Sequence, residues 1–389
     1  MESVVAFTDT YLPTVNGVTY TVKTWRDRWE ARGGRMDVVY PDADGHEPEA
    51  GEHPVTSLPF PFYDGFRFGV PRVPDDVPDA EVIHAHTPFA LGLSALRLAR
   101  RTDRPVVANY HTPTGEYASY LTLTSWSPLE PVYQRLSERY ERWYFSRADA
   151  VIVPSEKARE HLLDGIGVAR RGPETEVHVV PNGVDVDRFG PVDGAAFRDR
   201  YDLGDGPLIG YTGRHGYEKC LEDVFAAADG LAGDGGGTDG GAGDGDGDVT
   251  VVFGGDGPAR EDLERAAADC RVETRFLGFL DREELPAFYS ALDVFAFPSP
   301  VETQGLVALE ATACGTPVVA VDAGALSDTV EDGRNGYHYE RDDVAGFRDG
   351  IRRALAEGET LARQCLEMRE EISVEHAVDQ LRGVYAGLA

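Results

Sequence analysis

Short apolar runs that end in Gly, Asn or His, each followed by a helical pattern, recur along this chain and constrain its fold more than any other feature. The first series occupies residues 4–8, 36–40, 82–84, 106–109, 150–153 and 177–180, and a second occupies 208–212, 249–253, 274–277, 294–297 and 317–321. Runs this apolar suit strands buried on both faces, and their alternation with helices predicts parallel sheets covered by helices. The pattern restarts near residues 191–201, so the prediction is two α/β domains, 1–188 and 189–372. A closing helix over 373–389, with Val374, Ala377, Leu381, Val384 and Tyr385 at helical spacing, is expected to return to the first domain. A chain of 389 residues fits two domains, because single cores rarely grow past about 250–300 residues. Ligands of open α/β sheets bind beyond the carboxyl ends of the strands, which predicts a site in a cleft between the two domains.

Charge narrows the partners. The formal net charge is -31, from 68 acidic against 37 basic residues, which disfavours nucleic acid and anionic surfaces at long range. Lysine occurs only at positions 23, 157 and 219, the remaining basic residues being arginine. An acidic, lysine-poor composition resembles that of proteins from salt-loving organisms, where salt screens the self-repulsion. The four cysteines show no CxxC pair and no histidines at ligand spacing, so neither a zinc site nor a disulfide frame is expected, and a reducing, cytoplasmic setting is. No apolar run approaches the ~18 residues of a membrane span. Residues 230–248 collapse to Gly, Asp, Ala and one Thr, a composition expected for a solvated loop, and they lack the Gly and Glu of an EF-hand.

Three segments carry candidate chemistry. PSPVETQGLVALEATACGTPVVAV, 298–321, predicts a helix opened by Thr303 and Gly305 and stopped at Gly315, with Glu310 on an otherwise small or apolar face and Glu302 just ahead. Both acids are expected near the helix N-terminus, whose free N–H groups suit a phosphate or a sugar hydroxyl. A buried Glu310 paired with an arginine, beside a surface Glu302, is the competing reading. LIGYTGRHGYEKC, 208–220, predicts a strand, a glycine turn and a helix from about Glu218, with Arg214 and Lys219 positioned to clamp a departing diphosphate. Lys219 is the more telling of the two in a chain so poor in lysine. In the first half, DTYLPTVNGVTY, 9–20, places Asn16 and Gly17 in a loop after the first strand. His84 and His86 end one strand and His111 the next. Hydrogen bonding to a loop or a sugar is the expected role of these histidines, since no third metal ligand is marked by spacing.

The spacing Glu302-x7-Glu310, the GRxxxEK run 213–219, GGDGPARE 254–261 and PNGVD 181–185 together resemble the family 4 glycosyltransferases. The resemblance covers nearly the whole chain. It implies the GT-B fold, two Rossmann-like domains facing across a donor and acceptor cleft, and retaining transfer from a nucleotide-sugar without a metal or other cofactor. Residue by residue, it implies that Arg214 and Lys219 bind the donor diphosphate and that Glu302 contacts the transferring sugar. Glu310 would hold the ribose hydroxyls, and the backbone of Gln304, Gly305 and Leu306 would meet sugar and phosphate. Gly17 matches the glycine that approaches the diphosphate, and His111 the histidine beside the anomeric centre. Asn16 and Tyr117 are the acceptor-side candidates. His215, Cys220 and Asp328 depart from the usual family residues without removing a charge the donor site needs.

ETQGLV, FPFYDGFRFGVPR (60–72) and YHTPTGEYASYL (110–121) resemble members that glycosylate membrane lipids. YQRLSERYERWYFSR, 133–147, interleaves arginines with large aromatics, as an interfacial helix seeking anionic headgroups would, although its arginines also have Glu138 and Glu141 as partners. The expected activity is therefore hexose transfer to an acceptor hydroxyl, with a lipid acceptor and peripheral membrane contact. A soluble sugar or polysaccharide acceptor is the nearest alternative. A sugar-nucleotide epimerase of the same build is a third, for which no acid/base set beyond the two glutamates is found.

Overall fold

The computed structural model describes residues 2–14, 16–59, 67–111, 130–168, 175–233 and 249–388. The chain divides into two compact units, Met1–Gly183 with Val374–Ala389, and Val184–Ser373. The division precedes the expected 188/189 boundary because 184–189 is tied to the second unit. Val184 N donates to Ile372 O at 2.8 Å, Arg369 Nη1 donates to Phe189 O at 2.9 Å, and Phe189 lies in the second core.

In the first unit the strands are β1 (Ser3–Phe7), β2 (Arg35–Pro41), β3 (Glu52–Val55), a hairpin of β4 (Ser57–Pro59) and β5 (Arg67–Gly69), β6 (Val82–Ala85), β7 (Val106–Asn109), β8 (Ala150–Val153) and β9 (Glu176–Val179). All but the hairpin form one parallel sheet in the order β3-β2-β1-β6-β7-β8-β9. The second unit holds β10 (Leu208–Thr212), β11 (Thr250–Gly254), β12 (Glu273–Gly278), β13 (Val294–Phe297), β14 (Val318–Val321) and β15 (Gly336–Tyr339), in the order β12-β11-β10-β13-β14-β15 and again all parallel. The inner strands β7, β8, β10, β11, β13 and β14 are buried at every position and mainly apolar, with Asn109, Thr212 and Thr250 as buried polar residues at their ends. The strands without a counterpart in the apolar pattern are the edges β3 and β15 and the hairpin, which are short and carry Pro54, His53 or Gly336.

Each unit encloses its own core. Helix Gly17–Ala31 starts at Asn16, whose side chain accepts from Thr19 N, and it buries Val22, Trp25 and Trp29. The C-terminal helix Val374–Leu388 packs its Val374, Val378, Leu381 and Tyr385 into that same cluster. Salt bridges Arg28–Glu375 at 2.8 Å and Arg32–Asp379 at 2.7 Å flank the contact. Helix Glu222–Gly233 runs into the glycine-rich stretch, of which 234–248 lies outside the described residues. Leu381 is wholly buried in this packing. Leu381→Ala is therefore expected to cost about 2–5 kcal/mol, read as a lower urea midpoint at constant slope.

Candidate functional site

In the second unit the chain leaves β10 towards β11 on one side and leaves β13 towards β14 on the other. Loops that part in this way open a crevice beyond the carboxyl ends of the two central strands. The loop after β10 carries Arg214 and a single 3-10 turn, Tyr217–Lys219, closed by Cys220 in the left-handed region. The expected helix from Glu218 is thus confined to one turn, and the longer helix begins at Glu222. Lys219 Nζ lies 2.6 Å from Glu302 Oε1 in the loop after β13, with side chains only 18% and 16% exposed. Arg214 Nη1 lies 2.7 Å from Glu218 Oε1. Both cations named by the sequence are therefore gathered at this crevice, each beside a carboxylate.

Backbone packing holds the loop in place. Gly255 adopts φ +104°, and a Cβ there would stand 2.0 Å from Gly213 O, so the 254–257 run lies directly against the Arg214 loop. His215 is fully buried between them: its N–H donates to Asp256 O at 2.9 Å, its carbonyl accepts from Ala259 N at 2.9 Å, and Nε2 is 3.2 Å from Gly254 O. Burial lowers its pKa, so the ring fastens the loop as a neutral group. This family-atypical histidine is a structural pin.

Helix Leu306–Ala313 begins at Gly305, whose φ is +76° and whose Cβ would press within 2.7 Å of Leu326. Gln304 is buried with its carbonyl accepting from Thr329 Oγ1 at 2.6 Å, and Leu306 is the half-buried first helical residue. Glu310 is buried inside this helix. Tyr289 donates to its Oε2 at 2.8 Å and Arg282 stands 3.9 Å from Oε1. Burial raises the Glu310 pKa, opposed by Arg282 and by the Tyr289 hydrogen bond. The two glutamates accordingly have separate partners. Glu310 is engaged by Tyr289 and Arg282, while Glu302 pairs with Lys219.

The first unit has its own polar cluster at the carboxyl ends of β1, β6 and β7. Asp9 is buried after β1, where Oδ2 accepts from Thr87 Oγ1 at 2.6 Å and Oδ1 from Leu91 N at 3.1 Å. It serves the start of helix Ala90–Thr102, whose own N-cap residue Phe89 makes no capping bond. Burial pushes its carboxyl up to about 6 in spite of those bonds. Asn16, an acceptor-side candidate, is engaged at both ends of its amide, with Oδ1 on Thr19 N at 2.9 Å and Nδ2 on Thr10 Oγ1 at 2.7 Å. Gly17, the first helical residue, is exposed. His111 is buried with its Nε2 3.1 Å from Asn109 Nδ2 and 3.2 Å from His86 Nδ1. Burial, with the charge of His84, pushes its pKa down to about 3. His84 and His86 thus bond Asn109, Tyr385 and His111 within the fold.

Tyr117, the stretch 60–66 and most of 110–121 lie outside the described residues. Glu218, Arg282, Tyr289, Asp9, Asn109 and Tyr385 were not singled out from the sequence as site residues. Only Asn109 carries a usable signal, standing two places before His111 where a strand returns side chains to one face. Among the described residues, no group of three or more His, Cys, Asp or Glu is arranged to hold a metal ion, all four cysteines are free, and no helix is long and apolar enough to cross a membrane.

Comparison with known proteins adds the following. The family model described as Glycosyltransferase Family 4 matches residues 15–188, and that described as Glycosyl transferases group 1 matches 195–371. The chain is 31% identical to a GDP-mannose-dependent alpha-mannosyltransferase of Mycolicibacterium smegmatis, over 89% of this chain and 86% of the relative. It is 29% identical to the alpha-monoglucosyldiacylglycerol synthase of Streptococcus pneumoniae, over 87% and 76%. With the sulfoquinovosyl transferase SQD2 of Arabidopsis thaliana it shares 30% identity over 78% of its length, which spans 56% of that relative. Among solved structures, Anabaena Alr3699/HepE in complex with UDP and glucose superposes with a TM-score of 0.72 at 19% identity, covering all of both chains, so the fold is GT-B.

The buried Asp9 gives a pH signature. A carboxyl whose pKa is raised in the fold stabilises the protein below its unfolded value and loses that contribution as pH rises through about 6. Relative to the wild type, Asp9→Asn is expected to gain stability between about pH 4 and 6, by up to about 3 kcal/mol, in urea titrations at each pH.

Proposed function

Because this chain belongs to the family 4 glycosyltransferases, we propose that it moves a hexose from a UDP- or GDP-sugar to an acceptor hydroxyl with retention of anomeric configuration. The observation that carries the reading is the Lys219–Glu302 pair at the switch point of the second sheet. A cation and a carboxylate side by side match a donor that joins a diphosphate to a polyol. Lys219 and Arg214 take the diphosphate and Glu302 the hexose hydroxyls, while the Gln304–Leu306 backbone meets sugar and phosphate. Glu310, with Oε2 engaged by Tyr289, offers Oε1 to the ribose. Gly17 lets backbone approach the diphosphate, and His111 serves the anomeric centre.

In this mechanism the anomeric C–O bond breaks with its electron pair passing to the leaving diphosphate. The acceptor oxygen bonds the anomeric carbon on the same face and its proton goes to a diphosphate oxygen. Charge accumulating on the leaving group is stabilised by Lys219 and Arg214, and no metal is called upon. Lys219→Ala is expected to lower kcat/KM for nucleotide release from the active sugar nucleotide by about 10²-fold, measured with a panel of UDP- and GDP-sugars at high salt. A value within about threefold of wild type would remove Lys219 from the reaction.

A lipid acceptor is supported by the likeness to the diacylglycerol-named relative and by helix Glu130–Phe145. That helix exposes Val132, Leu136 and Trp143 at helical spacing, with Arg135 and Arg139 exposed beside them and Arg147 stacked 4.3 Å over Trp143. The acceptor hydroxyl would then be presented from a bilayer surface. Sedimentation with anionic vesicles in high salt should carry the protein down, and Leu136→Glu with Trp143→Ala should leave it in the supernatant. Failure of the wild type to bind at any lipid content favours a soluble acceptor.

A further inference from the structure

The buried histidines form a hydrogen-bonded chain of which the proposed mechanism uses only His111. Tyr385 Oη lies 2.5 Å from His84 Nδ1, and His84 Nε2 lies 2.7 Å from Asn109 Oδ1. Asn109 Nδ2 is 3.1 Å from His111 Nε2, and His86 Nδ1 is 3.2 Å from that same nitrogen. The rings of His84 and His86 are fully buried and lie beside Trp25, their centroids 6.0 and 5.8 Å from its ring. A neutral imidazole has one donor and one acceptor, so the pairing decides where each proton sits.

The deciding atom is His86 Nε2, which is buried and has no hydrogen-bond partner among the described residues. Stranding an N–H in such a place is costlier than stranding a lone pair, so the His86 proton belongs on Nδ1, where it donates to His111 Nε2. His111 Nε2 is then an acceptor, shared with the Asn109 amide. The amide oxygen faces His84 Nε2–H, and His84 Nδ1 accepts from the Tyr385 hydroxyl. The reverse wiring would put an unpaired N–H on His86 or set N–H groups of Asn109 and His111 against each other.

We infer that His111 is held as a neutral imidazole with its proton on Nδ1, a fixed hydrogen-bond donor, and that Asn109, His84, His86 and Tyr385 are positioning residues that impose this tautomer. Its part in glycosyl transfer rests on the reading of His111 given above; the tautomer itself does not. Desolvation acts in the same direction, lowering the His84 pKa to about 4 and that of His86 well below its ordinary value. In this arrangement His111 donates to a sugar or acceptor oxygen and does not carry a proton between steps.

The test is a long-range proton–nitrogen NMR spectrum of the histidine rings in the full-length, nitrogen-labelled chain, with His111 assigned from the signals lost in His111→Gln. A protonated Nδ1 and bare Nε2, unmoved between about pH 5 and 9, are expected; a proton on Nε2, or titration near the ordinary histidine value of about 6.5, overturns the inference. Asn109→Asp places an oxygen, which only accepts, opposite His111 Nε2. It should draw the proton there and lower kcat for nucleotide release about tenfold with KM nearly unchanged. An Asn109→Asp spectrum still showing His111 bare at Nε2 overturns the positioning role, and if that variant does not fold, Tyr385→Phe gives the same readout at the far end of the chain. The earlier reading is tested separately by His111→Ala: unaltered nucleotide release would remove His111 from the transfer while leaving the ring spectra to judge the tautomer.

Discussion

A parallel strand cannot be joined to its neighbour by a tight turn, and the rest of this structure follows from that constraint. Each of the two sheets returns through crossovers that cover its faces, so strands such as β8, β10 and β13 are buried at every position and their carboxyl ends open on one edge. Charged side chains have no place along β8, β10 or β13. They collect in the loops beyond, and most densely where successive connections part between β10 and β13. The Lys219–Glu302 pair is the product of that topology.

The cations at this crevice are both paired. Lys219 and Arg214 are each held by a carboxylate, which keeps partly buried cations from standing uncompensated. Under the proposed function, a diphosphate would compete with Glu302 and Glu218 for these cations, and a polyol would take the carboxylate so released. Glu310 lies on the other side of this balance. Its burial favours the protonated form, and Tyr289 and Arg282 restrain that tendency. The Arg214 loop itself keeps its shape through backbone packing against Gly255 and through the neutral His215.

The first unit places polar groups inside its core, where low dielectric makes each hydrogen bond consequential. Asp9 stands at the start of helix Ala90–Thr102, and Tyr385, His84, Asn109, His111 and His86 bond one another in a connected series. The C-terminal helix therefore has two functions there. It completes the apolar cluster around Trp25 and Trp29, and it delivers the hydroxyl of Tyr385 to the buried imidazoles.

Much of the fold was legible in the sequence because buried parallel strands leave uninterrupted apolar runs, and because glycines at Gly213, Gly255 and Gly305 mark the turns that only glycine makes easily. The candidate site residues were legible for a related reason, since charge on a small-residue helix, or one of three lysines in an arginine-rich chain, stands out locally. The edge strands β3 and β15 left no such trace, being interrupted by His53 and Pro54 or by Gly336 and His338, and the strands of the hairpin are only three residues each. The sequence by itself determined the two α/β units, their family and the identity of the charged groups. Only the tertiary structure decided their partners: Lys219 with Glu302, Glu310 with Tyr289, and His84 with Tyr385. Periodicity reports which face a residue occupies on its own element, whereas a hydrogen bond between residues far apart in the chain exists only once separate elements have packed.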